Sequence, residues 1–145
     1  MEKQEGINRH PQEKEIKEGV AELVIKERMD ELLELIEIGF FEVGNRYGVE
    51  QFFPDPTEWD SLKEKEQQDF LKALGSYLDV DLLNITNDKV VRSYKEPGVS
   101  GQPSESGADV RVLITKLPEL EIHVMEYKNP KLGVRYDLVR KEVNK

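Results

Sequence analysis

Asp109, Glu126 and Lys128 are the residues whose types and spacing come nearest to a reaction centre. Asp109 heads one strand-like stretch, Asp109 to Thr115. Glu126-Tyr127-Lys128 closes the next, Leu120 to Lys128, across a turn near Leu117-Pro118. A hairpin that turns symmetrically there sets position 109 opposite 126, and a two-residue slip sets it opposite 128. In either register the three side chains leave on one face, because opposed residues of an antiparallel pair point the same way. Two carboxylates that close can hold Mg²⁺ or a similar hard cation through oxygen. A lysine beside them can steady an attacking water or a developing phosphate charge. On this reading Asp109 and Glu126 are metal ligands and Lys128 is catalytic.

At these residues the sequence resembles the PD-(D/E)XK nuclease superfamily, whose pattern is an acidic residue on one strand and (D/E)-x-K on its neighbour. The resemblance spans the 20 residues from Asp109 to Lys128. It implies Mg²⁺-dependent cleavage of a phosphodiester. Ala108 stands where the family often has proline, and 17 residues follow Lys128, fewer than the family's next helix and strand occupy.

Other chemistries are excluded by composition. The chain has no cysteine, hence no disulfide, thiolate nucleophile or cysteine-ligated metal, and its two histidines, His10 and His123, cannot make a histidine-rich centre. His123 falls on the opposite strand face from Glu126. Gly98-Val99-Ser100-Gly101 lacks the spacing of a nucleophile elbow and the lysine of a phosphate loop. Asp79, Asp81, Asn84 and Asp88 lack the spacing and central glycine of a calcium loop, and Asn84-Ile85-Thr86 has no secretion signal to give the sequon meaning.

The elements that must position these residues follow from periodicity. Residues 1–11 carry no apolar period and read as a flexible polar leader that ends at Pro11. From Ala21 through Ile25, Met29, Leu32, Ile36, Phe40 and Val43 to Tyr47, apolar residues recur in steps of three or four, the stripe of one long helix. Its first half is a thin seam on a charged rod. Ala21, Ile25, Met29 and Leu32 are therefore the candidate interaction residues, for another protein or for self-association through the long helix. Asp55-Pro56-Thr57-Glu58 starts a second helix, which runs with one polar interruption to about Leu78 and folds back on the first. After Val80 the period becomes that of strands: Lys89 to Tyr94, Asp109 to Thr115, Leu120 to Lys128 and Leu132 to Val139, with a Gly-, Pro- and Ser-rich mobile loop over residues 96–108.

The expected fold is α+β: two N-terminal helices, one long, packed on a small C-terminal antiparallel sheet of about three to four strands. At 145 residues the chain is the size of one domain, 12–145, with a helical half (12–80) and a strand half (81–145). Charge divides in the same place. Residues 1–80 carry 20 acidic against 10 basic side chains and residues 81–145 carry 10 against 11, within a net −9. Nucleic acid is thus expected only through the basic C-terminal strand, and the absence of an apolar run or signal peptide implies no membrane partner and a cytoplasmic location. The favoured reading is a non-enzymatic interaction protein, an adaptor, inhibitor, immunity-type factor or small part of an assembly, with no cofactor and an acidic helical surface. The alternative is the Mg²⁺-dependent nuclease or phosphodiesterase.

Overall fold

The computed structural model describes residues 9–96 and 107–143. Helix α1 (Arg9–Glu37) is followed by strand β1 (Arg46–Gly48), a 3₁₀ turn (Val49–Phe52), helices α2 (Thr57–Ser61) and α3 (Glu64–Leu78), and a second 3₁₀ turn (Asn87–Lys89). Strands β2 (Val90–Glu96), β3 (Ala108–Ile114), β4 (Leu120–Tyr127) and β5 (Val134–Arg140) complete the chain. The architecture is α+β, helices first, as the change of period implies. The loop expected over 96–108 falls on residues outside the described ones, apart from its ends in β2 and β3. Of the expected polar leader, Arg9 to Pro11 belong to α1, since proline is tolerated in a first helical turn.

The sheet has five strands rather than three to four, in the order β1-β5-β4-β3-β2, every neighbouring pair antiparallel. β2 to β5 form a meander, and β1 joins the outer edge of β5. β1 sits where the sequence period continues a helix. The stripe from Ala21 to Tyr47 is one helix by spacing, yet α1 ends at Glu37. Gly39 and Gly44 adopt φ of +84° and +87°, left-handed values that a helix does not contain. The amides of Gly39 and Phe40 bond back to the carbonyls of Ile36 and Leu35, which closes the helix end. Phe40 and Val43 therefore leave the helical stripe, and Tyr47 lies in β1.

The second helix is likewise two. Asp55 accepts the Thr57 amide at 3.0 Å and caps α2 as its residue type implies. Leu62 then turns extended, and Glu66 accepts the Lys63 amide at 3.0 Å to start α3. Trp59 packs against Phe53 and Phe70. α3 closes on Asp79 at φ +61°, with Gly75 pressed so close to the Val80 carbonyl that a Cβ would collide with it.

One face of the sheet supplies Leu113, Leu120, Ile122, Val124 and Leu138 to the core, where they meet α1 and α3. α1 contributes Ile25, Met29, Leu32 and Ile36, all buried, with Ala21 half-buried beside them. The candidate partner seam Ala21, Ile25, Met29, Leu32 is thus turned into the chain's own core and is not presented to a second molecule. An apolar seam on a charged rod is covered by whichever apolar surface is available, and here α3 and the sheet lie within the same chain. Among the described residues no helix is long and apolar enough to cross a membrane.

Met29→Ala empties a fully buried site and is expected to lower unfolding free energy by about 2–5 kcal/mol. Leu23→Ala, on the exposed side of the same helix, changes it by less than about 0.5 kcal/mol. Urea denaturation of the two variants reads the difference.

Candidate functional site

The hairpin β3–β4 adopts the symmetric register, with Asp109 directly opposite Glu126. Both are exposed, at the end of the sheet beyond the helices, and Lys95 of β2 lies on the other side of Asp109. Lys128 is exposed just after β4. Its amide bonds to the Gly107 carbonyl, which keeps the strands together to that point. The fold thus brings Asp109 and Glu126 together with Lys128 beside them. Among the described residues no three His, Cys, Asp or Glu side chains gather in a way that could hold a metal ion. After Asn129-Pro130 the chain tightens through Gly133, at φ +66°, and returns as β5 paired antiparallel to β4. A strand occupies the place of the helix that follows the (D/E)-x-K strand in the nuclease superfamily.

A second set of residues, which the sequence reading passed over, lies on the sheet face away from α1 and α3. β4 is buried on both faces through Leu120 to Met125. Its alternation places Leu120, Ile122 and Val124 in the core and Glu121, His123 and Met125 on the other side. Met125 packs there with Ala108, Val110 and Val112. Glu121 and His123 remain as buried polar groups, and Asp137, opposite His123 on β5, is a third. Uncompensated, each carboxylate would cost several kcal/mol to remove from water.

Arginines from three strands meet that cost. Arg92 pairs with Val112 in the β2–β3 ladder, yet its guanidinium reaches Glu121 on β4 at 2.9 Å, so its stem arches over β3. Arg135 donates from Nε to Asp137 at 2.9 Å and from its other end to Glu50 at 3.1 Å. Arg46 of β1 approaches Asp137 at 3.5 Å. His123 Nε2 lies 2.9 Å from Glu121. A carboxylate only accepts, so the neutral imidazole carries its proton on Nε2 and leaves Nδ1 as an acceptor. The Tyr94 hydroxyl stands 3.5 Å from Nδ1, at the outer limit of a hydrogen bond, with its ring roughly perpendicular to the imidazole. The only sequence signal for this face was Glu121 and His123 alternating with apolar residues. Their arginine partners are distant in the chain and carry no common spacing.

Titration follows from these surroundings. Burial pushes the Glu121 carboxyl up, but the hydrogen bonds from His123 and Arg92 and the Arg92 charge outweigh it and hold the group below its ordinary value. Burial pushes His123 down, reinforced by Arg46 and Arg92 and opposed by Glu121, leaving it below its ordinary value.

A third feature lies between α1 and β1. Phe41 is buried while its neighbour Phe40 is 76% exposed, and Ile38 and Val43 are 57% and 55% exposed. The segment is tied down rather than loose. The Arg140 guanidinium donates to the Phe41 carbonyl, the Gly44 amide to the Arg140 carbonyl at 2.7 Å, and the Arg140 amide to the Asn45 carbonyl at 3.1 Å. From Met29 to Asn45 there are five acidic residues and no lysine or arginine.

No protein-family model, no curated protein and no solved structure matches the chain.

For both Glu121 and His123 the folded value lies below the unfolded one, so the unfolded chain takes up protons first and acid destabilises the fold. Histidine's share is complete above about pH 6.5 and is lost below it; glutamate's is lost below about pH 4.5. The urea midpoint is expected to fall between about pH 7 and pH 5.5, and His123→Gln to flatten that fall. A wild-type midpoint that rises on acidification over this range contradicts the assignment.

Proposed function

We propose that the chain is a non-enzymatic interaction protein, an adaptor, inhibitor or component of an assembly, that docks another protein through its acidic helical surface. The observation that carries this reading is the knuckle Ile38, Phe40 and Val43: three large apolar side chains held out into solvent by a segment whose backbone is bonded to β5. Exposing an aromatic ring of that size gives no benefit to a chain alone in water, whereas a rigidly held ring surrounded by charged residues suits the centre of an interface. Rigidity matters because a side chain already fixed in place loses little freedom on binding.

The partner's chemistry follows from the rim. Glu34, Glu37 and Glu42 are exposed beside the knuckle, with Asp30 and Glu31 one turn back along α1. A partner offering an apolar pocket ringed by lysine or arginine fits this surface, and the charges would speed its approach. The contact surface is therefore moved from Ala21, Ile25, Met29 and Leu32 to the C-terminal end of the same helix and the turn beyond it.

The direct opposition of Asp109 and Glu126 favours a second reading, Mg²⁺-dependent phosphodiester cleavage with Lys128 as the catalytic cation. It requires Mn²⁺ or Mg²⁺ binding measurable by calorimetry and abolished in Glu126→Ala.

For the favoured reading, the immobilised protein is expected to capture a partner from its own cell extract that is released by about 0.5 M salt, as a charge-steered interface requires. Phe40→Ser, at an exposed position, leaves thermal unfolding almost unchanged and reduces capture by about tenfold or more, the effect of a central aromatic. A captured set identical for wild type and Ile38→Ser/Phe40→Ser removes the proposal.

A further inference from the structure

On the sheet face away from α1 and α3, three arginines stand against three carboxylates, Asp137, Glu121 and Glu50. Arg46, Arg92 and Arg135 come from three different strands, β1, β2 and β5, and their guanidiniums reach the buried acids of the adjacent strands β4 and β5. Arg46 ends at Asp137, Arg135 at Asp137 and Glu50, and Arg92 at Glu121. The anchors Asp137 and Glu121 lie on adjacent strands, Asp137 directly opposite His123 and Glu121 two residues from it along β4. The carboxylates lie beneath, 1% and 6% exposed at the side chain, whereas the arginines are 38%, 54% and 45% exposed. Two of the acids form the floor, and Glu50, 24% exposed, reaches the surface beside Arg135.

Each guanidinium carries five N–H donors, and the bonds among the described residues occupy one of Arg46's, one of Arg92's and two of Arg135's. The heads stay partly exposed while these anchors set their positions. Tyr94 stands beside Arg92's neighbour Ser93 on β2, half-exposed, with its hydroxyl turned toward His123. α1 and α3 lie on the opposite face of the sheet, so the acids that meet these arginines are Asp137, Glu121 and Glu50.

We infer that Arg46, Arg92 and Arg135 form a binding site for a small phosphate monoester, with the Tyr94 ring as its aromatic wall. Arginine forks match the oxygens of a phosphate two at a time, and heads anchored in advance lose little freedom when it arrives. Phosphate is favoured over a single carboxylate because three guanidiniums offer more N–H groups than two oxygens can accept. A small ligand is favoured over a nucleic acid strand because the patch is confined between neighbouring strands on a chain of net charge −9. The wall beside the site suits a flat group carried by the phosphate, such as a nucleobase.

Calorimetric titration of the full chain at low salt, with inorganic phosphate and with AMP, tests the site. Saturable binding of both is expected, tighter for AMP, weakened about tenfold or more in Arg135→Gln, as loss of a charged hydrogen bond implies. Arg92→Gln/Glu121→Gln removes one guanidinium together with its buried counter-charge, so the fold is retained while binding weakens to the same degree. Tyr94→Leu is expected to abolish the preference for AMP and leave phosphate binding in place. Absence of saturable binding at about 10 mM of either probe overturns the proposal, that concentration being weaker than any specific site of this kind. So does an equal loss in Lys65→Gln, a cation on exposed α3, because it would mark the effect as unspecific attraction.

Discussion

A carboxylate drawn out of water must be met by donors, and this sheet draws out two. β4 is the central strand of five and is covered on both faces, so the side of it that carries Glu121 and His123 has no access to solvent. Asp137 on β5 shares that condition. The requirement reaches outward from there. It calls Arg92 over β3 from one edge of the sheet, and Arg46 and Arg135 from the two strands at the other, and so ties β2 to β4 and β1 to β5 across the face that no described helix covers. The three-residue strand β1 gains a reason to stay paired, because it carries Arg46.

The opposite face depends on burial alone. Leu113, Leu120, Ile122, Val124 and Leu138 need a cover, and α1 and α3 provide it with Met29, Leu32, Leu74 and Leu78. Each such side chain contributes about 1.5–3 kcal/mol on leaving water, with no directional demand. The two faces therefore differ in what they specify. The apolar face sets the helices on the sheet, while the polar face, whose bonds have length and angle, sets which strand residues stand opposite which. A one-residue slip of β5 would carry Asp137 into the apolar core.

The surfaces follow the same division. The helical layer is acidic and presents a held apolar knuckle where α1 ends, and the sheet layer presents arginines above buried acids. The pair Asp109 and Glu126 sits apart from both, at the end of the β3–β4 ladder, where neither side chain has left water.

Local chemistry made much of this legible in the sequence. The change of period at Val80, the cap at Asp55 and the β3–β4 turn near Leu117-Pro118 all depend on neighbours within a few residues, and each has the form its residues imply. The end of α1 was not legible from spacing. Apolar residues recur in steps of three or four beyond Glu37, and only the left-handed turns at Gly39 and Gly44 separate Phe40 and Val43 from the stripe. The short strand β1 was hidden for the same reason. Exposure was also decided by the fold. The seam Ala21 to Leu32 and the knuckle at Phe40 are alike as sequence, and packing against α3 and the sheet buried the first while Arg140 held the second outside. Apart from Arg135 and Asp137, two residues apart, the arginine network was beyond sequence reading because its members join across 29 to 91 residues of chain. A sequence determines what each segment prefers, since that is a matter of nearby backbone and side-chain sterics. Which charges meet, and which apolar surface stays in water, is decided only when distant segments compete for the same space.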